Sequence, residues 1–163
     1  MADEPLNTIE VEEKTTRKFA FVLLDQFTLL CYACAVESLR IANRMAGKPL
    51  YEWRVIGEGG EFVSCSAGTY FKLDGDLDEV ARSETIVLCG GIDVAQATTK
   101  KLLNWLRRET RKGAKAGGLC TAGWSLAQAG LLDGFLAHHG AGLERINNRH
   151  GGAVEAAKDH IVV

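Results

Sequence analysis

The sequence lacks several features that would assign it to a broad class of protein. It contains no apolar run close to the roughly 20 residues that a membrane-spanning helix needs. Residues 1–18, MADEPLNTIEVEEKTTRK, are acidic and polar, so we do not expect them to be a secretory signal peptide. This chain has neither a basic stripe nor a large excess of positive charge, so its charge does not indicate nucleic-acid binding. No repeat, low-complexity tract or linker rich in proline and serine divides the chain, so we expect a flexible tail over 1–17 and one domain over 18–163.

The composition is that of an ordinary globular domain. The chain has 163 residues, of which 47% are hydrophobic, and its net charge is −2. That is enough apolar material for a substantial core. The odd number of cysteines and their apolar surroundings favour reduced thiols in the cytoplasm over a disulfide framework. These cysteines are Cys31, Cys34, Cys65, Cys89 and Cys120.

Apolar strand-like runs alternate with helical patterns along the chain. Strands are predicted at 18–24, 51–58, 69–77, 83–91 and 114–120, and helices at 29–45, 99–113 and 121–132. Such alternation indicates βαβ units and a mainly parallel sheet, hence a three-layer α/β/α sandwich. The final residues, KDHIVV, resemble the start of a strand with no helix to cover it. We therefore expect the chain to be part of a longer polypeptide.

Cys120 stands where the small-residue strand AKAGGLC turns into a helix. In α/β folds, ligands bind outside the carboxyl ends of the strands, and a side chain on such an elbow projects above the sheet. The partial charge of the helix N-terminus and nearby amides would lower the pKa of its thiol. The backbone amides of Gly90 and Gly91, on an adjacent strand end, could receive an oxyanion or a carboxylate. The alternative is a buried structural cysteine at a crowded turn.

A proton acceptor for Cys120 is harder to identify. His138 and His139 follow the elbow helix and could return towards it, although such a pair is usually solvated. Glu37 lies in an apolar helix, where a carboxylate needs a partner or a raised pKa. Protonated, it could hydrogen-bond to a thiolate; alternatively, it is a polar residue that reaches the edge of the helix.

Two further motifs have structural and functional interpretations. The CYAC motif, Cys31 to Cys34, has no second CxxC or CxxH to complete a zinc site, so buried small residues are the favoured interpretation and no metal site is expected. Trp53 and Trp124 are expected to serve packing. Trp124, which lies just beyond the elbow, could also form the wall of a pocket and stack on a cationic ligand.

Several segments together resemble a known family. FVLLDQFTLLCYACAVESLRIANRMAGKPLYEWRVIGEGG, IVLCGG, LLNWLRR and GGLCTAGWSLAQAGLLDG are similar to the N-terminal, PfpI-like domain of GlxA-type transcription regulators of the AraC family. The resemblance, to a class I glutamine amidotransferase-like domain, implies a flavodoxin-like sandwich, a homodimer, and a helix-turn-helix DNA-binding domain that this chain does not contain. It further implies that the domain senses a small metabolite. Regulators of this branch are associated with arginine, carnitine or glycine betaine catabolism.

The resemblance also implies roles for residues of the site. Cys120 would be the nucleophile of enzymes in the wider superfamily, such as isonitrile hydratases, with Glu37 and Thr121 as its neighbours. Gly90 and Gly91 would supply amide donors. Trp124 and a loosely aligned His139 complete the expected ligand-binding residues.

The sequence departs from the family pattern at the positions that matter for turnover. Cys31 stands where isonitrile hydratases have an aspartate, and Thr121 stands where PfpI-type enzymes have a histidine. The elbow has an additional alanine, Cys-Thr-Ala-Gly, and HHGAG replaces the usual His-Trp-Glu. We therefore favour a non-catalytic sensor and dimerisation domain that binds a quaternary amine or an amino acid without a cofactor. A cysteine-dependent hydrolase or hydratase, and a dimerisation module with a vestigial pocket, remain alternatives.

Overall fold

The computed structural model describes residues 16–132, together with the backbone of two later strands at 136–139 and 142–145. The strands are β1 (Arg17–Leu23), β2 (Tyr51–Gly57), β3 (Phe62–Ser64), β4 (Tyr70–Lys72), β5 (Gly75–Asp76), β6 (Glu84–Cys89), β7 (Ala116–Leu119), β8 (Leu136–His139) and β9 (Gly142–Arg145). The α-helices are α1 (Leu29–Ala46), α2 (Val94–Ala97), α3 (Lys100–Arg111) and α4 (Ala122–Gln128), and one 3₁₀ turn spans Leu77–Glu79. Among these helices none is long and apolar enough to cross a membrane.

The main sheet has the strand order β5-β2-β1-β6-β7, and each neighbouring pair is parallel. Because successive side chains of a strand point to opposite faces, the unbroken apolar run of β1 supplies both sides of the sheet. Helices flank the sheet, and the predicted three-layer α/β/α architecture with a mainly parallel sheet is confirmed. Two short antiparallel pairs, β3-β4 and β8-β9, lie outside this sheet.

The two faces of the sheet are packed by different side chains. We call one the aliphatic face; its core contains Ala20, Val22, Ile56, Ile86, Leu88, Leu102, Trp105, Leu106 and Leu126. We call the other the aromatic face; its core contains Phe21, Leu23, Phe27, Tyr32, Val63, Cys65, Leu73 and Cys89. On the aromatic face the rings of Phe27, Tyr32 and Phe71 meet one another edge to face, an arrangement that aromatic quadrupoles favour. Helix α3 covers the aliphatic face, and α1 covers the aromatic face.

The predicted long elements are present, whereas the short ones differ. The stretch predicted as one strand over 69–77 is divided: β4 pairs with β3, and β5 pairs with β2 after a turn. Helix α4 ends at Gln128, short of the predicted Leu132, because a turn with Gly130 in the left-handed region follows. The tail was predicted over residues 1–17. Residues 1–15 lie outside the described part of the chain, and Arg17 already belongs to β1. The strand expected in KDHIVV also lies outside the described residues.

Candidate functional site

Three neighbouring strands, β1, β6 and β7, end side by side at the carboxyl edge of the sheet, and hydrogen bonds join the segments that follow them. The amide of Thr28, after β1, donates to the carbonyl of Gly90, after β6, at 2.9 Å. The hydroxyl of Thr121, after β7, donates to the carbonyl of Gly91 at 2.7 Å. Gly90, Gly91 and Thr121 therefore lie at the edge where parallel sheets bind their ligands.

Cys120 is the residue between β7 and the turn that leads into α4. Its backbone has φ of 56°, in the left-handed region, where a non-glycine residue is strained. The side chain is half-buried, which disagrees with the alternative of a buried structural cysteine at a crowded turn. Strain of this kind persists only where the surrounding structure enforces it, and it is concentrated at functional sites.

Thr28 contacts the Cys120 thiol and is a site residue that sequence reasoning missed. Thr28 precedes the first residue of α1, the position at which a threonine hydroxyl ordinarily accepts a hydrogen bond from the first turn. In this protein the hydroxyl makes no such bond; its Oγ1 lies 3.5 Å from Sγ of Cys120, in a contact in which either group can donate. The Thr28 hydroxyl therefore contacts the Cys120 thiol and does not cap α1.

Cys31, in the first turn of α1, is the second group that interacts with Cys120. Burial raises the pKa of the Cys31 thiol, and the Cys120 thiol raises it further through its charge and a hydrogen bond. Burial also raises the pKa of Cys89, with smaller effects from Cys31 and Cys120. The thiols of Cys31, Cys89 and Cys120 therefore influence one another at the carboxyl edge of the sheet.

The two glycines after β6 are required by close packing. A Cβ on Gly91 would collide with the carbonyl oxygen of Gln26, and a Cβ on Gly90 would lie 2.5 Å from the amide nitrogen of Ala122. The expected role of Gly90 as a ligand donor does not hold, because its amide donates to the carbonyl of Leu119 at 3.3 Å. Gly91 remains the candidate amide donor of the pair.

Glu37 is not part of this cluster. Its carboxylate accepts three hydrogen bonds from Arg40, between 2.6 and 2.9 Å, on the exposed surface of α1. The hydrogen bonds from Arg40 lower the pKa of Glu37, so the carboxylate is ionised at neutral pH. The expectation of a protonated Glu37 bonded to Cys120 is therefore wrong, and the alternative of a polar residue at the helix edge is correct. The pairing follows from the i,i+3 spacing of the two residues on one helix.

The remaining candidates are placed as follows. Trp124 is half-buried and packs against the aliphatic core, as the packing interpretation requires. The expectation that the CYAC cysteines are buried is wrong, because Cys31 is half-buried and Cys34 is exposed. His138 and His139 belong to β8, whose side chains lie outside the described part of the structure. Among the described residues, no three His, Cys, Asp or Glu side chains form a group that could hold a metal ion.

A cavity of about 540 Å³ opens at the carboxyl ends of β1 and β2. Its wall contains apolar side chains of β1 and β3 and three carboxylates, Asp25, Glu58 and Asp93, but no lysine or arginine. Two of these carboxylates accept hydrogen bonds from hydroxyl groups, Asp25 from Ser64 and Glu58 from Thr99. The charge of the wall suits a cationic group. Sequence reasoning missed this cavity, because its acidic residues are spread over three loops.

The comparison with known proteins places the chain in a family. Residues 17–149 match the DJ-1/PfpI family. This chain belongs to the DJ-1/PfpI family. The predicted resemblance to the PfpI-like domain of transcription regulators is thereby confirmed in its family.

Two curated relatives are HTH-type transcriptional regulators. The chain is 36% identical over 124 residues to GbdR of Pseudomonas aeruginosa, an alignment that covers 76% of this chain and 34% of GbdR. It is also 36% identical over 124 residues to GlxA of Rhizobium meliloti, with 75% of this chain and 38% of GlxA covered. The chain thus spans about a third of the length of the curated relatives that it matches.

A solved structure described as an AraC family transcriptional regulator from Pseudomonas putida has the same fold. It superimposes with a TM-score of 0.65 over 86% of this chain and 88% of that chain, at 18% sequence identity. At that identity the likeness supports the fold assignment alone.

Proposed function

We propose that this chain is the effector-binding and dimerisation domain of an AraC-type transcription regulator in the cytoplasm. In this proposal the domain binds a small metabolite and transmits the binding to a helix-turn-helix domain, which contacts DNA elsewhere in the full-length protein. The 36% identity to the regulators GbdR and GlxA supports this assignment. The family alone would not, because one fold hosts many functions.

The observation that carries the non-catalytic part of the proposal is the set of groups around Cys120. Within the described residues, the groups that interact with its thiol are the Thr28 hydroxyl and the thiols of Cys31 and Cys89. None of them is a general base at neutral pH, since a hydroxyl does not titrate in that range and the pKa values of both thiols are raised. Glu37, the carboxylate that could have acted as an acid or base, is held by Arg40. Such a site is suited to binding and poorly suited to proton transfer.

We infer two possible positions for the effector at this edge. One lies over Cys120, with Thr121 and the Gly91 amide as polar neighbours and with Trp124 and His139 as further candidates. The other is the acidic cavity at the ends of β1 and β2, whose carboxylates suit the ammonium group of a quaternary amine or an amino acid. Both positions agree with a cationic metabolite, so the experiment must separate them.

Isothermal titration calorimetry with arginine, glycine betaine and carnitine tests the proposal. We expect one of these compounds to bind the wild-type domain with one-to-one stoichiometry. Loss of binding in Cys120→Ala, with binding retained in Asp93→Asn, would place the effector over the cysteine; the opposite pattern would place it in the cavity. Arg111→Glu, at an exposed position at the end of α3, is the control variant. No heat of binding from a wider metabolite panel, with the fold intact by circular dichroism, would contradict the proposal.

The homodimer is part of the proposal and is supported by the surface of α1. Leu30, Ile41 and Met45 are large apolar side chains that are exposed on this helix. Together with Cys34 they lie within one narrow arc of the helix, since they are separated by four, seven and four positions. An exposed apolar stripe on a domain of this size is typical of a protein–protein interface.

The strained backbone of Cys120 supports a second candidate function, a cysteine-dependent hydrolase or hydratase. An activated thiol of this kind would react with iodoacetamide much faster than a simple thiol at neutral pH. The exposed Cys34 of the same chain serves as the internal reference. If Cys120 is alkylated no faster than Cys34, the enzymatic alternative fails.

A further inference from the structure

A groove of about 760 Å³ lies at the amino edge of the main sheet, opposite the edge that carries Cys120. Because β1, β6 and β7 are parallel, all three begin at this edge, and a basic residue stands near the start of each. Arg17 is the first residue of β1, Arg82 lies two positions before β6, and Lys115 immediately precedes β7. The three residues are exposed and line the groove, which we call the basic groove.

The positive charge of the basic groove is largely unbalanced. Within the described part of the chain, no carboxylate forms an ion pair with any of these three basic residues. The one carboxylate among the described wall residues, Glu84, is buried and is held by Arg54. A fourth cation of the wall, Lys18, lies 3.5 Å from Glu52. Clustered charges of one sign attract groups of the opposite sign, so this groove suits an anionic partner.

The segment that leads into the groove has the opposite charge. Residues 1–15, MADEPLNTIEVEEKT, contain five carboxylate side chains and one lysine. They join Thr16, which lines the groove and whose hydroxyl donates to the carbonyl of Pro49 at 2.9 Å. Fifteen extended residues span about 50 Å, so the segment is long enough to cross the groove. Because the segment is tethered at the rim, its carboxylates have an effective concentration of roughly millimolar, at which individually weak ion pairs suffice.

We propose that residues 1–15 dock in the basic groove of their own chain, with their carboxylates against Arg17, Arg82 and Lys115. The cavity at the opposite edge of the sheet repels the same segment, because its wall contains three carboxylates and no lysine or arginine. Docking covers the positive charge of the groove, so that other anions reach it only when the segment is displaced. This contact does not depend on the identity of the effector, nor on whether the domain binds one.

Carbodiimide cross-linking of the whole chain, which joins a lysine to a carboxylate only where the two are in contact, tests the proposal. Lys48 is the reference lysine: it is exposed and adjoins Pro49, to which Thr16 is bonded, but it does not line the groove. Tryptic mapping separates the two products, since Lys115 links peptide 1–14 to peptide 113–145 and Lys48 links it to peptide 45–54. We expect the link to Lys115 to exceed that to Lys48 by at least about fivefold, because tethering alone favours neither lysine.

A double variant, Arg17→Gln with Arg82→Gln, removes two charges of the groove and keeps Lys115 as the reporter. We expect the Lys115 link to fall at least about threefold in this variant, and in wild type at about 0.5 M sodium chloride, because salt screens exposed charges. The Lys48 link should be unchanged in the variant, and circular dichroism establishes that the variant is folded. Mixing chains of natural and heavy nitrogen isotopes separates links within a chain from links between chains.

Three results would overturn the proposal. Equal yields at Lys115 and Lys48, or no link at either, would show that the groove is open to another anion. A Lys115 link that is unchanged in the double variant would show that the charge of the groove does not hold the segment. Links found only between isotopically different chains would place the segment on a second copy.

Discussion

The two faces of the central sheet differ in how completely their helices close them. On the aliphatic face, α3 buries Leu102, Trp105 and Leu106 and presents charged residues to solvent. On the aromatic face, α1 is longer, yet Tyr32 is its one buried residue. Leu30 and Met45 on α1 are 71% and 81% exposed, although the helix is largely apolar.

This difference supports the surface proposed for dimerisation. A helix with an apolar stripe towards the core and a charged outer side has all its hydrophobic surface accounted for by the fold. Helix α1 has exposed apolar surface, and its first turn, together with the preceding Thr28, lies beside Cys120. The aliphatic face therefore serves stability, and the aromatic face combines the site with the surface proposed for dimerisation.

The largest loss of stability is expected when a side chain buried on the aliphatic face is truncated. Leu106 is fully buried, so Leu106→Ala is expected to cost about 2–5 kcal/mol of unfolding free energy through lost burial and a cavity. Ile41 of α1 is 48% exposed, and Ile41→Ala is expected to cost less than about 0.5 kcal/mol, as at other surface sites. Urea unfolding of the monomer, followed by circular dichroism, measures both. Equal costs would remove the distinction between the two faces.

The next largest loss of stability is expected at the one ion pair with a buried carboxylate among the described residues. Arg54 donates to Glu84 at 2.7 and 2.9 Å, and the Glu84 side chain is 4% exposed. Glu84→Gln is expected to cost about 2 kcal/mol, the range of hydrogen bonds to charged groups.

The pH dependence of this ion pair has a definite sign. The hydrogen bond from Arg54 lowers the pKa of Glu84 in the folded chain, so the pair stabilises above the ordinary glutamate pKa of 4.5. Its contribution is lost as the pH falls through the lower, folded-state value. The difference between wild type and variant in urea unfolding should therefore shrink in acid. A difference that stays constant with pH would show that the charge of Glu84 is not responsible.

A charged side chain in the exposed apolar stripe of α1 tests the proposed dimer interface. Met45→Glu places a carboxylate in the exposed stripe of α1 and is expected to weaken dimerisation at least tenfold, about 1.4 kcal/mol. Sedimentation equilibrium measures the dissociation constant. Arg111→Glu, at an exposed position at the end of α3, is the control and should leave the dimer intact. A dimer that tolerates Met45→Glu, or a chain that is monomeric in wild type, would contradict the assignment of this surface.

The smallest effect is expected for Glu37. Its ion pair with Arg40 is exposed and lies away from the Cys120 cluster, so Glu37→Gln should change neither stability nor the rate at which iodoacetamide labels Cys120. Peptide mapping after timed alkylation provides the measurement. A clear change in that rate would show that Glu37 does influence Cys120.

Much of the fold could be predicted from the sequence because its long elements have strong patterns. The apolar run of β1 and the amphipathic stripe of α3 are such cases, and both are present close to their predicted bounds. The hairpin of β3 and β4 could not be predicted, since strands of three residues are too short to show a period. The single turn of α2 was missed for the same reason.

The site was only partly predictable, because its composition depends on strand order. Cys120 could be located from the glycines before it and the helix after it. Its contacts with Thr28 and Cys31 arise because β1 and β7 lie on either side of β6, which no local pattern encodes. Thr28 looks like an ordinary helix cap in the sequence. The pairing of Glu37 with Arg40, by contrast, was available from their spacing.

Equilibrium dialysis of the domain with its effector, followed by mass spectrometry of the small molecule recovered from the protein side, distinguishes a receptor from an enzyme. For a receptor, we expect that the protein concentrates the effector, that the effector is recovered chemically unchanged after long incubation, and that no adduct forms with Cys120. Recovery of a hydrolysed or hydrated product, lost in Cys120→Ala, would contradict a receptor and establish an enzyme.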